Sequence, residues 1–307
     1  MKLQKIISKL QKLHPKEIDL SLNRVKNLCK KLGNPQNDLS CISVIGTNGK
    51  FSTIQALFSI LKQANIKCNI YTSPHVQKIN ERFIFNNMQI SDNQLFKLLE
   101  EVESINNGEE ITYFEILTAA FFYKAVNFKK NISIIESGLF HRFDATNILK
   151  KNLTSIITAI GMDHLDWLPK NERTIDKIIF EKTSNLLNSN IIVSKQNSAE
   201  TTQCIKKTIF KNSSKKLFFN QDFGYSIGEN GFFGIGKNKT LAKLNFGASD
   251  KTWTYIDTIS TALWAVTLLH GAIDTYEEMN NIPDNKQLIP GRGIVYSGYK
   301  WIDTNVF

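Results

Sequence analysis

Cys41–Ile45, CISVI, runs directly into Gly46–Thr53, GTNGKFST, and then into Ile54, Leu57, Phe58 and Leu61. A short apolar run, two glycines with a lysine, and apolar residues at helical spacing spell strand, tight loop, helix. Glycines at such a turn let backbone N–H groups face an anion. The helix N-terminus adds partial positive charge, and Lys50 adds a full one. Gly46, Thr47, Asn48, Gly49, Lys50, Ser52 and Thr53 are therefore candidates for holding phosphate. The general form G-x-x-x-x-G-K-[ST] is not met, because Val44 stands at its first glycine and Phe51 separates Lys50 from Ser52. Taken alone, the stretch is equally consistent with a plain strand–turn–helix connection.

Outward from this segment the same alternation continues. Cys68–Tyr71 reads as a strand leading into Thr72-Ser73-Pro74-His75. Ile132–Ile135, Ser155–Ile160 and Ile191–Val193 are continuously apolar, which means burial on both faces and hence a parallel sheet covered by helices. Val25, Leu28 and Leu32 mark a helix that stops at Gly33 with Pro35 beyond. Ser91 and Asp92 cap a helix carrying Leu95, Leu98, Leu99 and Val102. Thr112–Val126 is apolar almost all round and predicts a buried helix. From Leu217 to Tyr255 aromatics and glycines predict β-hairpins, and Asp257–His270 returns to helix. The expected fold is α/β: a doubly wound, mostly parallel sheet with a small β-rich section. Polar clusters sit just past four of its strands: the glycine loop with Lys50, then Ser73, Glu136 and Asp163-His164. Ligands in open α/β sheets bind outside the carboxyl ends of strands, so the four predict one shared site.

The bulk properties set outer limits. At 307 residues with 42% apolar content the chain can bury a core. Its 38 Lys and Arg against 28 Asp and Glu give a formal charge of +10, which attracts anions. The basic residues scatter along helices, as in Lys9, Lys12, Lys16 and Lys206, Lys207, Lys211, and read as solvated surface. No helix-turn-helix, RNA-binding aromatic signature or concentrated basic arm argues for nucleic acid. Cys29, Cys41, Cys68 and Cys204 show no CxxC pair, so reduced thiols in a cytoplasmic chain are expected. Met1–Leu13 is mixed polar and apolar and no apolar run reaches bilayer length, so neither a secretory leader nor a membrane span is expected.

Several motifs together resemble the folate branch of the Mur ligase family, the folylpolyglutamate synthases and dihydrofolate synthases. GTNGKFST looks like that family's phosphate loop GTNGKGS with Phe51 in place of its last glycine. Ser73-Pro74-His75 with Glu81-Arg82 is similar to its SPH…ER segment, and Thr112–Glu115 with Leu117–Ala120 to its TxFE…LTAA helix. Glu136–Asn147 matches EVGLGGRLDATN except at Ser137, Phe140, His141 and Phe143. Gly161–His164 matches GxDH, Glu181-Lys182 the EK of EKAGI, and Pro290-Gly291-Arg292 its PGR. The resemblance implies an ATP-dependent ligase joining a dihydropteroate or folate carboxylate to the amine of glutamate through an acyl phosphate. It implies ATP held by Lys50 with the loop amides and by Arg292. It also implies Mg²⁺ on Ser73, Glu136 and His164, and Lys182 as a carbamylated lysine, with Lys182 and His164 catalytic. A monomeric cytoplasmic enzyme with small-molecule substrates, no nucleic acid and no membrane is expected.

The sequence departs from that pattern in places. Phe51 is expected to narrow the phosphate loop, and Phe140-His141 replaces Gly-Gly. Thr254–Thr258 lacks the adenine-contacting asparagine of the family's H-Q-x-x-N. Residues 1–293 are expected to correspond to the ATP-binding domain, and 294–307 to be a remnant of the start of a C-terminal ligase domain that is expected to be missing. The alternative expectation is therefore a catalytically impaired homologue that keeps weak nucleotide or pterin binding and does not complete the ligation alone.

Overall fold

In a computed structural model of the chain, β1 (Ser40–Ile45) lies inside an eight-stranded sheet. The structure describes residues 2–16, 19–187, 189–212, 215–227, 232–235, 242–245, 261–262, 293–297 and 300–303. Successive side chains of a strand point to opposite faces, and here both faces are covered. Cys41 joins one apolar layer and Ile42 the other; Ile135 and Ile134 divide in the same way. This is why the strands read as unbroken apolar runs.

The other strands are β2 (Cys68–Tyr71), β3 (Phe83–Phe85), β4 (Met88–Gln89), β5 (Ile132–Glu136), β6 (Thr154–Ile157), β7 (Asn190–Val193) and β8 (Lys216–Phe218). Their order is β4-β3-β2-β5-β1-β6-β7-β8. From β2 to β8 the strands run parallel, while β3 and β4 form an antiparallel edge. The chain winds from β1 to β2 and back to β5, then reverses to β6, β7 and β8. That reversal opens a crevice at the carboxyl end of β1.

Helix α3 (Lys50–Gln63) covers one face through Ile54, Leu57 and Leu61. The opposite face carries α1 (Lys2–Leu10), α2 (Asn23–Lys31), α4 (Asp92–Asn106) and α5 (Tyr113–Ala125), and, beside β6 and β7, α6 (Ile175–Thr183) and α7 (Ala199–Thr208). Ser91 caps α4 as expected, in a reciprocal box with Gln94. Thr112 and Glu115 form the same box on α5, the almost wholly buried helix. Phe121 on α5 stacks against Tyr71 and Phe85 at 5.1 and 5.5 Å.

Some boundaries differ from the sequence reading. The strand expected over Ser155–Ile160 ends at Ile157, because Ala159 turns its carbonyl to the loop after β1. Leu217 opens no hairpin: β8 extends the parallel sheet. The β-rich section is a separate antiparallel sheet, ordered β13-β12-β11-β10-β9. Its strands are β9 (Tyr225–Ile227), β10 (Phe232–Ile235), β11 (Ala242–Asn245), β12 (Gly293–Ser297) and β13 (Lys300–Asp303). Of the helix expected over Asp257–His270 only Thr261 and Ala262 are described, as helix. Thr254–Thr258 and Pro290-Gly291-Arg292 lie outside the described residues.

Candidate active site

The loop between β1 and α3 is held from behind. Thr47 and Asn48 both donate their amides to Ala159 O, at 2.9 and 3.0 Å. Thr47 Oγ1 accepts from the Gly161 amide at 3.2 Å. Gly46 has φ +152°, and a Cβ there would lie 2.0 Å from Thr158 Oγ1, so only glycine fits. Gly49, at φ +83°, is the N-cap of α3. The amides of Lys50, Phe51 and Ser52, in the first turn of α3, have no carbonyl of their own helix to bond and stand free for an anion. Thr53 turns its hydroxyl back to Gly49 O at 2.8 Å, which ties the loop to its helix. Lys50 folds over the loop and donates to Gly46 O and Thr47 O, both at 3.2 Å.

Beside the loop opens a cavity of about 420 Å³. Lys50, Ser73 and His164 line it. Glu136, at the end of β5, lies directly behind: its Oε2 accepts the Ser73 amide at 3.0 Å, and its Oε1 is 4.0 Å from Lys50 Nζ. Burial raises the Glu136 pKa, with the Ser73 amide and Lys50 opposing. A buried carboxylate with one amide donor and one distant ammonium still favours another cation. His164 sits at φ 54°, with Nε2 3.1 Å from Asp163 Oδ2. Burial lowers its pKa against the pull of Asp163, with Lys182 and Lys50 adding to the lowering. Its imidazole is thereby favoured in the neutral form that a metal ligand needs. The chain thus brings together four polar groups that stand at four separate strand ends in the sequence.

Other expected residues are placed differently. Of the loop residues named from the sequence, only Lys50 lines the cavity. Phe51 is 55% exposed and is not in the lining of the cavity. Lys182, on α6, is buried and also absent from the lining. Its amine donates to Gly46 O at 3.1 Å and to Leu139 O at 2.8 Å, and burial, with help from Lys50, lowers its pKa to about 8. Phe140 does line the cavity, while His141 is buried against Ser137 at 3.1 Å, its pKa pushed down to about 3 mainly by burial.

The remaining walls combine residues that the sequence did not mark with residues of the quoted motifs: Arg82, Thr112–Glu115, Ser137–Phe140 and Phe143–Ala145. Asp19, Leu20 and Ser21 form one edge. Arg24 fixes that edge by gripping Asp19 at 2.8 Å and Glu115 at 2.9 and 3.1 Å. Glu115 in turn caps α5, whose Tyr113 and Phe114 form an aromatic wall. Asp144 accepts from the amides of Gly138 and Thr146 and from the Thr146 hydroxyl, and its pKa is raised by burial. Arg82 donates to His75 Nδ1 at 2.9 Å, and the Glu81 carboxylate collects the amides of Val76, Gln77 and Lys78. A single sequence gives little sign of the Arg24–Glu115 pair, whose members are 91 residues apart.

The chain is similar to several known proteins. The Bacillus subtilis dihydrofolate synthase/folylpolyglutamate synthase is 37% identical over 192 residues, 60% of this chain and 44% of that protein. The protein of the same name from Buchnera aphidicola (Baizongia pistaciae) is 30% identical over 259 residues, 81% of this chain and 56% of that protein. Over that shared part the chain resembles the dihydrofolate synthase/folylpolyglutamate synthase family. It spans about half the length of these curated relatives. A Mycobacterium tuberculosis folylpolyglutamate synthase complexed with ADP shares the fold, with a TM-score of 0.72 at 22% identity over 88% of this chain and 62% of that one. No protein-family model matches the chain. The fold is that of the family: an α/β, mostly parallel sheet of the phosphate-loop type. Among the described residues no helix is long and apolar enough to cross a membrane.

Proposed function

We propose that this chain binds ATP at the loop after β1 and uses it to join glutamate to a dihydropteroate or folate. The observation that supports this most is the convergence of Lys50, Ser73, Glu136 and His164 beside a glycine loop that opens a helix. Lys50 and the free amides of the first turn of α3 would hold the β- and γ-phosphates. Gly46, Thr47, Asn48, Gly49, Ser52 and Thr53 shape that loop, and Arg292 would reach the nucleotide from outside the described residues. Ser73, Glu136 and His164 would hold Mg²⁺. A Mg²⁺ ion needs only one or two carboxylates from the protein and takes much of its shell from water and phosphate oxygens. When bound, that ion supplies neutralisation of the phosphate charge.

The aromatic wall of Tyr113, Phe114 and Phe143 suits a flat ring system bearing the reacting acid. The carboxylate oxygen attacks the γ-phosphorus, ADP leaves, and the glutamate amine then displaces phosphate from the acyl phosphate. Catalysis of this kind is mainly positioning and charge neutralisation. A monomer acting in the cytoplasm is the accompanying reading, supported by cysteines that are free among the described residues.

The test is to supply ATP, Mg²⁺ and glutamate with dihydropteroate or with folate, and to follow ADP and product mass. Formation of ADP and glutamylated product together, abolished by Glu136→Gln, is expected. ADP release indifferent to the acid, or no turnover beside intact nucleotide binding, would overturn the ligase reading.

A further inference from the structure

Arg82 carries a charge that the proposed chemistry leaves unused. Among the described residues the cavity is lined by one lysine, Lys50, which is assigned to the phosphates, and one arginine, the half-buried Arg82. The loop that leads to Arg82 is closed by Glu81, whose carboxylate gathers the amides of Val76, Gln77 and Lys78. The Arg82 carbonyl accepts the Thr72 amide at 3.2 Å, so its backbone is fixed beside the end of β2. Its Nε donates to His75 Nδ1 at 2.9 Å. That bond takes one of the five N–H groups of a guanidinium, and the other four, on the two Nη atoms, have no partner among the described residues. No carboxylate among those residues lies within ion-pair distance of it. The charge is felt at two points around the cavity: burial raises the pKa of Glu136 and of Tyr113, and Arg82 opposes the rise in each. A half-buried cation without a carboxylate beside it favours an anionic ligand. A planar fork with both Nη groups free matches a carboxylate, which it holds with two parallel bonds.

We propose that Arg82 binds the reacting carboxylate of the acid substrate, and that His75 is a positioning residue that turns the guanidinium fork into the cavity. This rests on the reading of the cavity as the acid's site. A ring seated on the Tyr113 wall then has its carboxylate on Arg82, on the side of the cavity where Glu136 and Lys50 stand. Two anions, the carboxylate and the γ-phosphate, meet with a cation on each, and the repulsion between them is lowered.

Calorimetry with pteroate and with its methyl ester, which keeps the ring system and lacks the charge, tests the assignment. Wild type should bind the acid about tenfold or more tighter than the ester. Arg82→Met should erase that preference, with ester affinity unchanged. A merely structural role would weaken acid and ester together. That result, or a preference that survives in Arg82→Met, would overturn the assignment. His75→Leu should weaken acid binding about threefold or more and leave the ester unchanged. His75→Gln, which keeps an acceptor for Nε, should restore it. Equal acid affinity in wild type and both His75 variants would refute the positioning role. An Arg82→Met effect confined to the KM for glutamate would put the amino acid's carboxylate on the fork and overturn the assignment to the acid. If Arg82→Met does not fold, Arg82→Gln takes its place with the same expected and refuting results. A wild type that binds neither acid nor ester would instead remove the reading of the cavity as the acid's site, and this inference with it.

Discussion

Replacing Gly46 by alanine should be among the most damaging single changes near the site. The new Cβ would stand 2.0 Å from Thr158 Oγ1, 3.1 Å from Thr158 Cβ and 3.2 Å from the Thr158 carbonyl carbon. The last of these is backbone in a strand-end segment that also anchors the loop, so it cannot swing aside. Backbone strain at φ +152° costs about 1–3 kcal/mol, and forced overpacking about the same again. The sum, roughly 2–6 kcal/mol, is a large share of the total stability of a typical domain, about 5–15 kcal/mol. Gly49→Ala is the control: φ is +83° there, but the nearest atom is 4.0 Å away, leaving backbone strain of about 1–2 kcal/mol. Urea denaturation of both variants gives the steric part by difference. Thr158→Ala should recover part of the Gly46→Ala loss, since it removes the nearest atom and leaves the other two. Equal losses for Gly46→Ala and Gly49→Ala, or no coupling to Thr158, would refute the close approach.

Three further outcomes are expected. His141 is held neutral down to a pKa of about 3, whereas an unfolded histidine protonates near 6.5. The unfolded state therefore binds more protons between these values, and stability falls as pH drops below 6.5. Urea midpoints should show wild type losing about 2 kcal/mol more than His141→Gln between pH 7 and pH 5. Arg24→Met removes the clamp on Glu115 but leaves it the Thr112 amide, so calorimetric melting should report a loss of about 2 kcal/mol. Phe51→Ala should change nucleotide-analogue affinity less than about twofold, well under 1 kcal/mol, because that ring lies outside the cavity.

The sheet was legible because burial on both faces leaves a mark on each strand, as in Ile132–Glu136 and Asn190–Val193. The site was legible for a related reason: strand ends in a parallel sheet share one edge, so Ser73, Glu136 and His164 could be grouped without knowing any contact. What could not be read was the direction of side chains. Phe51 looked obstructive by position, but it leaves the first turn of α3 toward solvent. Nor did the sequence show that the Lys182 amine is turned to two carbonyls, Gly46 O and Leu139 O. The Asp19–Arg24–Glu115 wall depends on a contact between distant segments, which no periodicity encodes. The strand expected to reach Ile160 was cut short by a demand outside its own sequence, the amides of Thr47 and Asn48.

The central claim is that the four strand-end groups form one site for a magnesium polyphosphate. Calorimetric titration with a non-hydrolysable ATP analogue and Mg²⁺ tests it most directly, in wild type, Lys50→Met and Glu136→Gln. Each variant removes a charged partner of the ligand, and charge-assisted bonds are worth about 1.5–3 kcal/mol, so binding should weaken at least tenfold in both. Omitting Mg²⁺ should weaken the wild type and leave Glu136→Gln little changed. Binding that is indifferent to both substitutions, or a Glu136→Gln variant as responsive to Mg²⁺ as the wild type, would contradict the account.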